Sequence, residues 1–249
     1  MRPMKTKRNR YTARVCRKFG MGDANLAIEA LLRRHRDPRE SLQSIASRLG
    51  VAEIVEEPLP VDGALFVDGQ NRLVVKINST CSPERRRFTL GHEIAHLILR
   101  ETLRGPASSH GNLEFERACD AIAAELLMPA EEAVPFVKRQ GESSPEKLRL
   151  IAEAFGVSLH AAALRVHEDF KLWRRSIGLW HFQGSARELW FVGKRRWRTT
   201  RPPFRAFERA LMSSTAIEAR ESFWEEGSVK PVCIELLSLG NQHLLGLVA

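Results

Sequence analysis

Five consecutive residues of this 249-residue chain, His92-Glu93-Ile94-Ala95-His96, have the types and spacing of a metal-binding helix. Positions i and i+4 of a helix share one face, so both imidazoles can reach a single ion. Two neutral imidazoles and a carboxylate suit zinc and leave a fourth position for water. Glu93 follows the first histidine directly, where its carboxylate can take a proton from that water as a peptide carbonyl is attacked. The expected chemistry is peptide hydrolysis, with His92 and His96 as metal ligands, Glu93 as general base and Zn2+ as cofactor. The plainer alternative is a pair of solvated or core histidines, and the helical character of the surrounding segment argues against it.

A third ligand must come from elsewhere. Sites that take it from the same segment place glycine and histidine where this chain has Leu99 and Thr102, so that arrangement is excluded. His110 is one candidate, in a polar stretch with Gly105-Pro106 and Gly111. Glu116 is the strongest, on a helix expected after that stretch. Glu116-Arg-Ala-Cys-Asp120 sets two carboxylates one helical turn apart. Glu116 can then ligate while Asp120 accepts the outer N–H of a ligand histidine and fixes its tautomer. Glu114 and Glu125 are alternatives if the helical register differs.

The elements that would position these groups are legible from pattern. Ser82-Pro83-Glu84 can open the motif helix, with Phe88, Leu90, Ile94, Leu97 and Ile98 as its core side. The next helix is expected over 113–127, before Pro129, with Ala118, Ala121, Ala123 and Ala124 allowing close approach. Upstream, residues 63–67 and 72–78 flank Asp68-Gly69 and read as a hairpin. The strand over 73–78 is a candidate edge for pairing with an extended substrate. Helices are also expected over 23–36 and 41–49, and a helix pair lies around Phe155-Gly156-Val157-Ser158, over 143–169. Beyond 172 come strands over 177–182, 188–192, 230–237 and 243–248, with a helix over 204–213. The fold class is α+β.

The stretch Arg86-Arg-Phe-Thr-Leu-Gly-His-Glu-Ile-Ala-His-Leu, followed by Glu116-x-x-x-Asp120-x-x-Ala-Ala-x-Leu-Leu-Met-Pro129, resembles the ImmA/IrrE family of bacterial metallopeptidases. The resemblance extends over residues 40–165 and includes the Gly63-Ala-Leu-Phe-Val hairpin. The family pattern Glu-x-x-Ala-Asn-x-Phe-Ala maps its metal-ligand glutamate onto Glu116. Cys119, Asp120 and Ile122 depart from its alanine, asparagine and phenylalanine. The resemblance implies a zincin-like metallopeptidase domain over 21–140 and a helix-turn-helix-like helical subdomain over 141–171. It also implies a small α+β C-terminal domain over 172–249, GAF-like in type. The activity it implies is cleavage of a helix-turn-helix transcriptional repressor, in stress response or on induction of a mobile element.

Composition narrows the alternatives. The formal charge is +9, but residues 1–20 hold eight Lys or Arg and no acid, leaving about +1 for the rest. The basicity therefore belongs to an expected disordered tail that could hold nucleic acid loosely. No apolar run approaches the roughly 20 residues of a membrane span, and no signal sequence opens the chain, so a cytoplasmic protein is expected. Cys16, Cys81, Cys119 and Cys233 lack paired spacing and are expected as thiols. Two rival functions stand beside the peptidase. One is a zinc-containing regulator that binds and displaces a repressor without cutting it. The other is a DNA-binding regulator using the tail and the helix pair. For the proton donor to the leaving amine, Tyr11, His160, His167 and His181 are the residues to consider, and no substrate-binding residue is assignable.

Overall fold

Ser41 sets the first boundary of the folded framework: its hydroxyl accepts the Ser44 N–H at 3.1 Å and caps helix α1 (Leu42–Arg48). Gly50 follows at φ +92°, a left-handed conformation open to glycine at little cost, and turns the chain into a strand. The computed structural model describes residues 28, 30–33, 40–103, 113–183, 186–193, 198–199, 205–225 and 228–248. The basic residues 1–20, His110, Tyr11 and the segment 194–197 lie outside these. Of the helix expected over 23–36, the described part is helical and buries Ile28, Leu31 and Leu32. The chain is mixed α+β with two sheets, divided into two compact units between Ala130 and Glu131.

The first unit is built on β1 (Val51–Glu57), β2 (Gly63–Val67) and β3 (Leu73–Asn78), in the order β1-β3-β2. The expected hairpin is β2–β3. Asp68 closes its turn by accepting the N–H groups of Gln70 at 2.8 Å and Arg72 at 2.9 Å. β1 joins the other side of β3 in parallel. β3 is therefore the central strand, with Val74, Val75 and Ile77 buried, and it cannot serve as the open edge expected of residues 73–78. A strand with a neighbour on each side has no unpaired row of N–H and C=O groups. The open edges belong to β1 and β2.

Against this sheet lies α2 (Pro83–Leu103), whose first turn is tied by Ser82 Oγ accepting the Arg85 N–H at 3.3 Å. It packs on α3 (Leu113–Leu127). Both helices bury apolar side chains: Ile94, Ala95, Ile98 and Leu99 on one, and Ala118, Cys119, Ile122 and Ala123 on the other. Where Gly91 meets Ala123, even an added Cβ would already stand at contact distance, 3.5 Å from the alanine methyl.

α4 (Ala130–Arg139) is a helix that the sequence pattern conceals. Its interior Pro135 forfeits one backbone bond, and only Ala133 and Val137 of its stripe are buried. In the second unit, α5 (Pro145–Phe155) is capped by Ser144 and ends at Gly156, φ +57°. α6 (Leu159–Leu164) is capped by Ser158 and continues as a π-helical turn, Arg165–Asp169, where an unbroken helix was expected. The strands are β4 (Ser176–Phe182), β5 (Ala186–Val192), β6 (Arg198–Thr199), β7 (Ile217–Glu225), β8 (Ser228–Gly240) and β9 (His243–Val248). They form an antiparallel sheet in the order β5-β4-β9-β8-β7-β6, with α7 (Arg205–Leu211) against β7, β8 and β9. β7 carries four charged residues in nine, which hides its period. Register with β8 along its whole length makes it a strand.

The core of this sheet is organised around Trp180, fully buried and edge-on to Phe207 at 5.8 Å between centroids. Gly178 and Gly246 leave the slot for its indole, since a Cβ at Gly178 would stand 2.4 Å from the ring. Trp180→Ala would empty that slot and is expected to destabilise the second unit by about 3–5 kcal/mol. The urea midpoint followed by near-ultraviolet circular dichroism checks this.

Candidate metal centre

The helical register of α2 carries His92 and His96 to the seam with α3, and Glu116 meets them from α3. His92 Nε2 lies 3.1 Å from His96 Nε2 and 3.1 Å from Glu116 Oε2, and His96 Nε2 lies 3.4 Å from the same oxygen. A tetrahedral ion with bonds of about 2.0–2.2 Å holds its ligand atoms roughly 3.3–3.6 Å apart. The observed triangle is close to one face of such a tetrahedron, and its donor set of two imidazoles and a carboxylate suits a first-row transition metal.

On the outer side of the same ring, His92 Nδ1 donates to Asp120 Oδ1 at 2.9 Å. That bond puts the proton on Nδ1 and turns the Nε2 lone pair of the neutral ring toward Glu116 and His96. Burial pulls the His92 pKa down, but Asp120, Glu93 and Glu116 outweigh it, and the net shift is upward. Glu93 is itself buried, at 8% exposure, and burial raises its pKa against the pull of His92. A carboxylate so placed holds a proton more readily than an exposed glutamate.

Cys119 is a feature that the spacing argument did not weigh as a ligand. Its Sγ lies within 4.8 Å of the ligand nitrogens of His92 and His96. Glu116 is the better third donor: its oxygen is at 3.1 and 3.4 Å, whereas the thiol is fully buried. Burial first, then Glu116, Asp120 and Glu93, push the Cys119 thiol far above its ordinary range. The remaining carboxylates are placed elsewhere. Glu125 accepts the Ala130 N–H at 2.8 Å at the start of α4, and Glu114 lies two residues from Glu116, on a different side of α3. Leu99 and Thr102 are buried in the core. His160, His167 and His181 belong to the second unit.

A pocket of about 170 Å³ opens beside the centre, lined by His92, Glu93 and Asp120 and also by Asp62, Gly63, Arg85, Phe88 and Thr89. Asp62 pairs with Arg85, whose Nε donates at 2.9 Å, and the guanidinium holds the Asp62 carboxyl below its usual range. Gly63 permits the closest contact: a Cβ there would stand 2.3 Å from Thr89 Cγ2. The sequence reading missed these wall residues. Helical spacing could have found Thr89 and Arg85, one and two turns before Glu93. Asp62 reaches the site only because β2 lies beside α2.

The ligand assignment has a direct test by metal analysis of purified variants. Cys119→Ala is expected to retain its metal and Glu116→Ala to lose it. Asp120→Ala should bind the ion about 10–100-fold more weakly. Metal retained in Glu116→Ala and lost in Cys119→Ala would transfer the third position to the cysteine.

Comparison with known proteins places part of this chain in a peptidase family. Residues 46–167 match the family model of the IrrE N-terminal-like domain, a peptidase family. The radiation response metalloprotease IrrE of Deinococcus radiodurans is 34% identical over 103 residues, covering 39% of this chain and 31% of that protein. The protein of the same name from Deinococcus deserti is 43% identical over 65 residues, 23% of each chain. The chain thus spans less than a third of the length of these relatives. A solved Mycobacterium tuberculosis transcriptional regulator shares the fold with a TM-score of 0.54 at 13% identity, over 97% of this chain and 80% of its own. With the histidine pair, the facing Glu116 and the matched segment taken together, residues 46–167 belong to the ImmA/IrrE family.

Proposed function

We propose that this chain is a zinc-dependent endopeptidase that cuts a protein substrate, a helix-turn-helix transcriptional repressor, in a stress response. The observation that carries the reading is the buried Glu93 beside the His92–His96–Glu116 triangle. A site that served only to hold the fold together would have no use for a base there. The names of the Deinococcus relatives support metalloprotease chemistry and a response to radiation, and the family resemblance supports the repressor. On this reading the first unit is the zincin-like peptidase domain, α5 and α6 are the helix-turn-helix-like pair, and the C-terminal sheet is a GAF-like module. Cytoplasmic action follows from a repressor substrate. No helix among the described residues is long and apolar enough to cross a membrane.

Zinc held by His92, His96 and Glu116 would supply a Lewis acid for the scissile carbonyl and acidify a water. Glu93 takes the proton of the attacking water and passes it to the leaving amine, and its raised pKa suits both steps. Asp120 keeps His92 in the ligating tautomer. The substrate backbone is read by β2. The Asn78 N–H donates to the Asp62 carbonyl at 2.8 Å, so Asp62, Ala64 and Phe66 bond to β3, and Gly63, Leu65 and Val67 turn their N–H and C=O groups outward. β1 guards its edge with Glu53, Glu56 and Glu57, whereas β2 carries no charge, as an edge kept for strand addition requires.

Glu93→Gln should keep its zinc and lose cleavage by two orders of magnitude or more. Co-expression with a repressor encoded next to the chain, followed by mass analysis of the fragments, measures it; undiminished cutting by this variant would overturn the mechanism. Leu65→Pro removes one outward N–H and should raise KM with zinc content unchanged. Intact repressor after incubation with the zinc-loaded wild type, but released from DNA, would instead favour the non-enzymatic regulator. Salt-dependent DNA binding lost on deleting residues 1–20 would favour the DNA-binding one.

A further inference from the structure

Two histidines outside the metal centre stand in nearly the same relation to each other as the pair inside it. His181 of β4 and His243 of β9 have ring centroids 5.0 Å apart with planes inclined at 56°. For His92 and His96 the values are 4.9 Å and 59°. We propose that His181 and His243 form a second, weaker metal site, which takes one divalent transition-metal ion between two imidazoles and leaves its other positions to water or to an outside ligand.

The strand register produces the pair. His181 and His243 are direct cross-strand partners, and the Phe182 N–H donates to the Gln242 carbonyl at 2.8 Å. That bond flanks the pair and does not join it, so the two residues occupy a non-hydrogen-bonded position, where facing side chains come closest. Asn241 at φ +48° and Gln242 at φ +61° make the tight turn that starts β9 at His243. The same face of the two strands carries Ile177 opposite Leu247, then Leu179 opposite Leu245, then the histidines. Burial falls along that row: Leu245 and Leu247 are buried, while both histidines are half-buried and open to solvent. The cross-strand neighbour of His243 on β8 is Gly240, which presents no side chain, so that flank stays open to an ion and its waters. On the other flank, His181 faces the exposed Arg187.

Two facing imidazoles are ligands for zinc, copper and nickel, and with no third donor assigned among the described residues the order of affinity should follow the intrinsic one, Cu2+ above Zn2+. The site stands apart from the peptidase reading, because its residues, unit and strands are different.

Equilibrium dialysis of the full chain, free of any affinity tag, against Zn2+ and separately against Cu2+ tests it. The expected result is one tight equivalent and one weaker one, the weaker preferring Cu2+. His181→Gln and His243→Gln should each weaken that second equivalent at least tenfold and leave the tight one in place. Using two single variants guards against one failing to fold, and unchanged far-ultraviolet circular dichroism identifies a folded one. A wild type that binds one equivalent only, or a weaker equivalent that survives both substitutions, would overturn the proposal.

Discussion

The contact between α2 and α3 is the constraint on which the metal centre depends. Four ionisable side chains, His92, His96, Glu93 and Glu116, meet where the two helices approach, and three of their atoms crowd within 3.4 Å. Burying such groups costs several kcal/mol each unless they are paired. The opposing gain is apolar: Ile94, Ile98, Leu99 and Ile122 are fully or almost fully buried, at about 1.5–3 kcal/mol apiece. Small residues decide how near the helices come. Gly91 against Ala123, with Ala95 and Ala118 beside them, sets a spacing at which a glutamate on one helix can touch imidazoles on the other. A larger side chain in that seam would separate the ligand atoms without altering any of them.

The same economy of side chains governs the pocket wall. Gly63 lets the backbone of β2 rest on Thr89, one helical turn before Glu93. That contact ties strand and helix together, and Arg85 with Asp62 ties them again at the rim. An edge strand is ordinarily a liability that charged residues blunt, as the glutamates of β1 do here. β2 is left apolar and uncharged, with Gly63 in the pocket wall and its outer row of backbone groups open. The strand that pattern alone favoured for this role, β3, is in fact enclosed by β1 and β2.

The second unit rests on a different interaction. Its six strands are organised by the indole of Trp180, which fills a slot left by two glycines and meets Phe207 edge-on. Arg175 reinforces the sheet from within, donating to Glu235 at 2.6 Å and to the Leu247 carbonyl at 3.0 Å. The opposite face of β4 and β9 changes from leucine and isoleucine to histidine at its solvent end, and this change of polarity along one row produces the cross-strand imidazole pair.

Much of the site was legible because its signals are local. The i, i+4 spacing of His92 and His96, the opening serine at 82 and the Asp-Gly turn at 68–69 each follow from bonds within a few residues. Glu116 and Asp120 could be chosen by type and helical spacing, since two carboxylates one turn apart on α3 can both face His92. Where local signals conflicted, the reading failed: Pro135 hid a helix, and the charges of residues 217–225 hid a strand that pairing with β8 creates. Sheet order, the identity of the open edge, the placing of Asp62 against Arg85 and the approach of Cys119 to the imidazoles were beyond its reach. Each joins residues about 20 or more apart in the chain, and such a meeting is set by how whole faces pack, a property no window of sequence contains. The sequence alone determined which atoms could bind a metal, and the tertiary structure decided which of them meet, because helix separation and strand order are outcomes of collective burial.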